Sequence, residues 1–408
     1  MRLLFVPTSW LLYRPRIIGK ENMPAGGPCF IISSHSNPFD GFIIGTKLKE
    51  PMASVMTEEY FRGGMFTWLF QQIGLVPTRK FEPQATPVRE LLRFIKDKRM
   101  IMIMPEGERN WDGVTRPTVA STGKLFRRLG VPVHPIVMHF GYFGWPGWSY
   151  WPRRFRIYIE FRPPLQFTAD MSDEEAARVL DESIRWNMDW DLAAYKGRIP
   201  RGFRPAGGIN NLIFRCPHCG EEEGLYVKRG RYLVCRLCDS RWYVRGDSSL
   251  TNVKTGERRT STETFRHILT FPRELRDYGS QGKGYTRSLN VPVYLEVNFP
   301  DQDFLGNYDS IIREDCVDLI PSDGGETISI PFEEIHSLSL EKHYRFQIRL
   351  QDRLYQLHLR GKGSAIQWEA YLQIMLPQVS QMLIRTMEEY YLSLPEPPTP
   401  PDTVPTKE

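Results

Sequence analysis

Two groups of residues in this sequence combine types and spacings that could do chemistry. The first is Ser33-Ser34-His35-Ser36-Asn37-Pro38-Phe39-Asp40-Gly41, directly after the apolar run Cys29 to Ser33. Proline suits a first helical position and Asn37 before it suits a cap, so the spacing predicts Asp40 in the third helical position. The helix dipole favours a carboxylate there, and the break at Asn37-Pro38 lets His35 fold back onto it. A histidine held by a carboxylate is a general base able to deprotonate a hydroxyl. Taken alone, the pattern is weak and reads as a capping aspartate beside an ordinary histidine. The second group is Cys216-Pro217-His218-Cys219 and Cys235-Arg236-Leu237-Cys238, with fifteen residues between the pairs. Two thiolates at each of two knuckles, joined by a span that fits a β-hairpin, supply four sulfurs for a closed tetrahedral zinc site. Such a site is structural, and His218 reads as a spectator. Cys29 and Cys316 stand alone and read as buried thiols.

Three further segments follow the histidine motif in order. They are Gly74-Leu75-Val76-Pro77-Thr78-Arg79, Pro105-Glu106-Gly107-Glu108-Arg109 and Val131-Pro132-Val133-His134-Pro135-Ile136. Together, over about residues 20–195, the four blocks resemble those of the glycerolipid acyltransferase family, whose best-known members acylate lysophosphatidic acid. The resemblance implies that His35 activates the acceptor hydroxyl and that Asp40 orients it and stabilises the imidazolium. It implies that Arg79 helps bind the acceptor's phosphate, and that Glu106, Gly107 and Arg109 shape the acceptor pocket. Arg109 would do so with a guanidinium fork suited to phosphate oxygens. Three positions depart from the family pattern: Ser34 where asparagine is common, Thr78 where an acidic residue is frequent, and Asn110 where serine or threonine is common. They loosen the tie to lysophosphatidic acid itself. The cysteine module resembles a zinc ribbon.

The elements that must position these groups are legible as alternating strands and helices. Cys29–Ser33, Met100–Met104 and Val131–Met138 read as strands, and 58–72, 86–98 and 118–129 as helices. In 86–98, Val88, Leu91, Leu92 and Ile95 share the expected apolar face. Arg153–Phe161 alternates as a strand, and Ser172 with Glu175 forms a capping box opening a helix through about Asp189. That pattern predicts an α/β domain over 1–205. Residues 196–213 read as a linker, 214–246 as the zinc ribbon, and 247–290 carry no clear period. Residues 291–380 read as a mainly β domain. Strands at 335–340, 344–350 and 354–360 lead to a helix capped by Ser364 and Gln367 that carries Trp368, an arrangement resembling a pleckstrin-homology fold. The tail 395–408 is proline-rich and reads as disordered.

At 408 residues with 41% hydrophobic and 25% charged residues, the chain is expected to form two or three globular domains. Residues 1–205 hold 29 Lys and Arg against 20 Asp and Glu, leaving 24 against 28 for the rest, so the front half suits an anionic partner. Paired cysteines with metal spacing favour a reducing compartment. No apolar run reaches the roughly 18 residues a spanning helix needs, and the N-terminus lacks a signal-peptide pattern. The expectation is a peripheral membrane protein on the cytoplasmic face. Its contacts would be the aromatic and arginine segment 141–156, whose alternative is a long hairpin tucked against the core, and the stretch Leu3–Tyr13. The expected reaction moves a fatty-acyl group from acyl-CoA or acyl carrier protein to a hydroxyl of a lysophospholipid or glycerol-phosphate-type acceptor. The alternative is an inactive lipid-binding adaptor. Nucleic acid is not expected as a partner, since 214–246 mixes Glu221-Glu222-Glu223 with its basic residues and shows no basic stripe.

Overall fold

The computed structural model describes residues 2–79, 85–195, 199, 202–222, 224–270 and 286–376. The chain divides into two compact units, one running to Gly147 with Trp151–Phe203, the other Trp148–Tyr150 with the residues from Arg204 onward. The tail 395–408 lies outside the described residues.

The first unit is built on a seven-stranded sheet: β1 (Arg16–Ile18), β2 (Cys29–Ser33), β3 (Met52–Thr57), β4 (Leu75–Thr78), β5 (Met100–Ile103), β6 (Val133–His139) and β7 (Tyr158–Phe161). Its order is β1-β7-β6-β2-β5-β3-β4. Strands β2 to β6 run parallel, while β7 is antiparallel to β6 and parallel to β1. The helices are α1 (Arg2–Tyr13), α2 (Asp40–Gly45), α3 (Gly64–Gln72), α4 (Ala85–Lys96), α5 (Ala120–Leu129), α6 (Gly141–Gly144), α7 (Asp173–Ile184) and α8 (Met188–Ala194).

A strand's period of two explains why β2 as far as Ile32 and all of β5 are apolar. Phe30, Ile32, Ile101 and Ile103 join one cluster with Leu91 and Phe94 of α4, Phe126 of α5 and Leu180 of α7. Cys29, Ile31, Met100 and Met102 join the other with Tyr13, Ile43 and Ile44. Central parallel strands are covered on both faces and so cannot alternate with polar residues. In α4 the buried stripe is Leu91 and Phe94 with Ile95 beside them, while Val88 and Leu92 face outward, a rotation of the face the sequence suggested. The run expected as one strand at 153–161 is extended only over β7. The helix expected through Asp189 ends at Ile184, with α8 following, and Ser172 caps α7 by accepting the Glu175 N–H. No helix among the described residues is long and apolar enough to cross a membrane.

From β2 the chain moves to β3 on one side, and from β5 to β6 on the other. The crevice outside the carboxyl ends of β2 and β5 is therefore a topological switch point, where open α/β sheets bind ligands.

The second unit starts where a linker was expected. Ala206, Ile209, Leu212 and Ile213 are fully buried and α9 (Ile209–Leu212) forms. The strands β8 (Leu225–Lys228), β9 (Tyr232–Cys235), β10 (Arg241–Val244), β11 (Leu250–Asn252) and β12 (Arg258–Arg259) make a sheet in simple meander order. The region without clear periodicity thus supplies β11, β12 and α10 (Ser261–Thr270). Seven antiparallel strands follow: β13 (Thr286–Glu296), β14 (Asp303–Ile312), β15 (Cys316–Pro321), β16 (Ile328–Pro331), β17 (Ser337–Glu341), β18 (Arg345–Arg349) and β19 (Leu354–His358). A four-strand and a three-strand meander meet where β13 pairs with β19. Then α11 (Ala365–Met375) opens at Ser364, which accepts the Gln367 N–H, and buries Trp368 with its indole N–H on Ser288 Oγ at 3.0 Å.

Candidate active site

His35 lies two residues past the buried strand β2, on the loop that turns into α2. Asp40 is fully buried and its Oδ2 gathers three donors: Ser36 N–H at 2.8 Å, Asn37 N–H at 2.9 Å and His35 Nδ1 at 3.0 Å. The helix begins at Asp40 itself. Asn37 Oδ1 accepts the Phe39 N–H at 3.0 Å, and this side-chain turn takes up the residues expected to be helical. Asp40 therefore reaches back over the loop from the helix start and holds ring and backbone with one oxygen. Bonding at Nδ1 leaves Nε2 as the nitrogen that can take a proton, on a side chain 25% exposed.

The loop after β5 clamps the backbone of His35. Glu106 Oε1 accepts the His35 N–H at 2.6 Å, and the Asn110 N–H donates to the His35 carbonyl at 2.8 Å. Glu106 Oε2 accepts the Arg116 N–H at 2.8 Å. Burial pushes the Glu106 carboxyl up to about 8, against these two N–H donors and the nearby Arg116 charge, which favour the ionised form. Glu106 is 1% exposed, with one oxygen on the His35 N–H and the other on the Arg116 N–H. Gly107 sits at φ +74°, a turn that a side chain would strain.

Arg109 is half-buried with its guanidinium 5.3 Å from the Trp111 ring centroid, and no ion pair engages it among the described residues. Its strand β5 is next to β2. Arg79 follows β4, three strand spacings from β2 or roughly 14 Å, and its Nε donates to Glu58 at 2.9 Å. The fold thus gathers His35, Asp40, Glu106, Gly107 and Arg109 at one crevice and holds Arg79 at the far side of the sheet.

One supporting network carries no sequence signature. Asn37 Nδ2 donates to the Gly141 carbonyl at 3.2 Å, and a Cβ on Gly141 would lie 2.9 Å from Ser36 Oγ, so α6 packs directly on the histidine loop. Just before it, Phe140 takes a left-handed φ of 62° and its N–H donates to Asp191 Oδ2 at 2.5 Å. Asp191 also accepts from Trp186 Nε1 at 2.8 Å and pairs with His139 Nδ1 at 2.7 Å, while His139 Nε2 meets Glu160 at 3.1 Å. Burial alone would drive the proton off His139, but the two carboxylates outweigh it and lift the imidazole to about 9. An unfolded histidine releases its proton near 6.5, so this stabilisation is complete below that pH and is withdrawn as pH rises through about 9. Thermal melts should show stability falling between neutral pH and pH ~10. Asp191→Asn should cost about 3–5 kcal/mol at neutral pH and flatten that slope. An unchanged slope in the variant would refute the assignment.

The aromatic segment expected at a membrane is mostly interior. Tyr142, Phe143, Trp148 and Arg153 are buried, and only Tyr150, Trp151 and Arg154 are exposed. Aromatic density here fills space: Phe155 stands 5.2 Å from Phe143 and 5.1 Å from Tyr195.

In the second unit, Cys216 and Cys219 precede β8, Cys235 ends β9, and Cys238 follows it across the β8–β9 hairpin. Their four sulfurs lie within 4.8 Å of one another, with Cys216 to Cys238 at 3.7 Å and Cys219 to Cys235 at 3.8 Å. A tetrahedron with ~2.3 Å metal–sulfur bonds has an edge of ~3.8 Å, so the set fits one metal ion. His218 is exposed and not of the set. Glu222 beside the first knuckle accepts from Arg215 Nε at 2.6 Å, Gln367 Nε2 at 2.6 Å and the Tyr371 hydroxyl, joining the knuckle to α11.

Residues 14–139 match the family model described as Acyltransferase. The chain is 26% identical over 129 residues to 1-acyl-sn-glycerol-3-phosphate acyltransferase BAT2, chloroplastic, of Brassica napus, a match covering 31% of this chain and 37% of that protein. It thus spans little more than a third of that relative's length. A solved structure, the 1-acyl-sn-glycerophosphate (LPA) acyltransferase PlsC from Thermotoga maritima, is 18% identical with a TM-score of 0.39, over 45% of this chain and 75% of that one. The segment that holds the His35 loop and the Glu106 turn thus matches the Acyltransferase family model and is similar in sequence to a 1-acyl-sn-glycerol-3-phosphate acyltransferase.

Proposed function

We propose that the chain transfers a fatty-acyl group from acyl-CoA or acyl carrier protein to a hydroxyl of a lysophospholipid or glycerol-phosphate-type acceptor. The observation that carries this reading is the His35 Nδ1 to Asp40 Oδ2 contact at 3.0 Å, at the switch point of the sheet. His35 Nε2 takes the hydroxyl proton as the acceptor oxygen attacks the thioester carbonyl, and buried Asp40 stabilises the imidazolium. As the tetrahedral intermediate collapses, the C–S bond breaks and the imidazolium returns its proton to the leaving thiolate. Arg109 binds the acceptor's phosphate, and Arg79 can reach only a group at the other end of the crevice. Zinc is the ion suited to the four cysteines, with Cys216, Cys219, Cys235 and Cys238 closing its coordination and leaving no site for substrate. The strand order of β13–β19 with α11 behind it supports a pleckstrin-homology-type reading of the last region. Cysteines paired at metal-ligand spacing support a reducing compartment, and with it the cytoplasmic face of a membrane.

Arg109→Lys keeps the charge and loses the fork. KM for a phosphate-bearing acceptor should rise roughly 10- to 100-fold with KM for the thioester unchanged. The test of the reading as a whole is steady-state transfer from both thioesters to a panel of lysolipids. No transfer to any of them would favour the lipid-binding adaptor.

A further inference from the structure

The segment 214–246 shows no basic stripe along the chain, but the strand period sorts its charges once the sheet β8–β12 forms. Residues paired across neighbouring strands share a face. Lys228 of β8 pairs with Tyr232 of β9, and Tyr232 with Tyr243 of β10. Tyr243 pairs in turn with Thr251 of β11, and Thr251 with Arg258 of β12. One row thus crosses all five strands, four strand spacings or about 19 Å, with a cation at each end and two tyrosines at its centre. A second row beside it holds Tyr226, Val234 and Arg241. The opposite face carries Leu233, Trp242, Val244 and Leu250, all buried.

Lys228, Arg241 and Arg258 are exposed, and the three tyrosines are half-buried. Among the described residues, no side-chain hydrogen bond or ion pair engages those three cations, and the two rows contain no carboxylate. Of the described carboxylates in 214–263, Glu222 holds Arg215, Glu257 holds Arg259, Asp247 is buried and Glu263 accepts the Thr260 N–H. The other two, Glu221 and Asp239, sit at the cysteine knuckles.

The Tyr232 and Tyr243 rings stand 5.5 Å apart, and Arg236 lies 4.9 Å from the Tyr226 ring centroid. Aromatic rings on a flat strand surface offer faces on which bases stack, and the flanking cations meet a phosphate backbone. All three rings are tyrosines and Thr251 stands in the same row, so the face carries hydroxyls that stacking alone does not need. The three phenols have no hydrogen-bond partner among the described residues, and a ribose 2′-hydroxyl would supply one.

We propose that this face of the β8–β12 sheet binds single-stranded RNA. Tyr232 and Tyr243 stack on bases, and Lys228, Arg241 and Arg258 pair with phosphates. Binding there needs nothing from His35.

The experiment is fluorescence anisotropy of the full chain with a labelled oligouridylate, its deoxy counterpart and an RNA duplex. Wild type should bind the oligouridylate most tightly. Tyr232→Leu with Tyr243→Leu keeps apolar bulk without the rings and should weaken binding about tenfold or more. Tyr232→Phe with Tyr243→Phe keeps stacking and should bring the RNA down to the affinity of the deoxy strand. Lys228→Gln with Arg241→Gln and Arg258→Gln should flatten the slope of log affinity against log salt by about 2, since each phosphate contact on a single strand contributes roughly 0.7. Melting curves check the fold of each variant, and the charge variant, made at exposed positions, still decides the matter should the leucine pair unfold. His35→Ala should bind as wild type, so this result and the acyl-transfer result can fail separately. No binding by wild type at low salt overturns the proposal, as does wild-type affinity in the folded leucine pair or an unchanged salt slope in the charge variant. Equal affinity for the deoxy strand overturns the assignment to RNA. Displacement of the RNA by polyglutamate at matched charge would overturn it too, since the face would then suit an acidic protein.

Discussion

His35→Ala should lower acyl transfer by about 10²–10⁴-fold or more while the protein stays folded. The fold survives because His35 is held through its backbone, by the Glu106 carboxyl oxygen at 2.6 Å and the Asn110 N–H at 2.8 Å, and alanine keeps both bonds. The rate falls because a lipid hydroxyl near neutral pH is a poor nucleophile until its proton is taken. KM for the thioester should change little, since His35 is assigned to the acceptor's proton. Asp40→Asn should also cost on the order of 10²-fold or more, because the amide can still accept from the loop but carries no charge to stabilise the imidazolium. Steady-state kinetics on the accepted lysolipid, with circular dichroism of each variant, make the measurement. Wild-type turnover by folded His35→Ala would end the dyad mechanism.

Cys216→Ser with Cys235→Ser should strip the metal and unfold the second unit while sparing the first. The purified chain should carry about one zinc. Apparent zinc-binding free energies of small cysteine sites are about 10–16 kcal/mol, more than a typical domain's whole stability. The effect should spread beyond the hairpin, because Glu222 ties the first knuckle to Gln367 and Tyr371 of α11, and Ser364 at the cap of that helix donates to the Asn211 carbonyl. Calorimetry should show one transition lost or moved far down and one retained, with transfer to a dispersed acceptor still measurable. If zinc leaves and both transitions stay, the site does not hold the unit together. If zinc removal stops turnover while the first unit stays folded, the metal is not merely structural.

The sequence by itself determined what depends on short spacings. His35 and Asp40 are five residues apart, the cysteine pairs sit on tight knuckles, and the Ser172 and Ser364 caps involve neighbours three residues away. Local geometry leaves few ways to arrange such groups, so their chemistry is legible before folding. The alternation of strands and helices likewise announced the α/β class, because burying both faces of parallel strands forces continuous apolar runs. What only the tertiary structure decided rests on long separations. Glu106 became the clamp on His35 because β5 inserts beside β2, 71 residues away in the chain. Asp191 came to hold His139 across 52 residues, with nothing local to mark either. Arg79 moved away from the crevice because strand order, not motif order, sets distance. Composition misled most where it was densest. Most aromatics of 141–156 fill the interior and only Tyr150 and Trp151 among them are exposed, while α1 and α3 keep Trp10 and Trp68 outside. A side chain's apolarity is written in the sequence, but whether water, lipid or protein meets it depends on how much neighbouring surface the folded chain can bring over it.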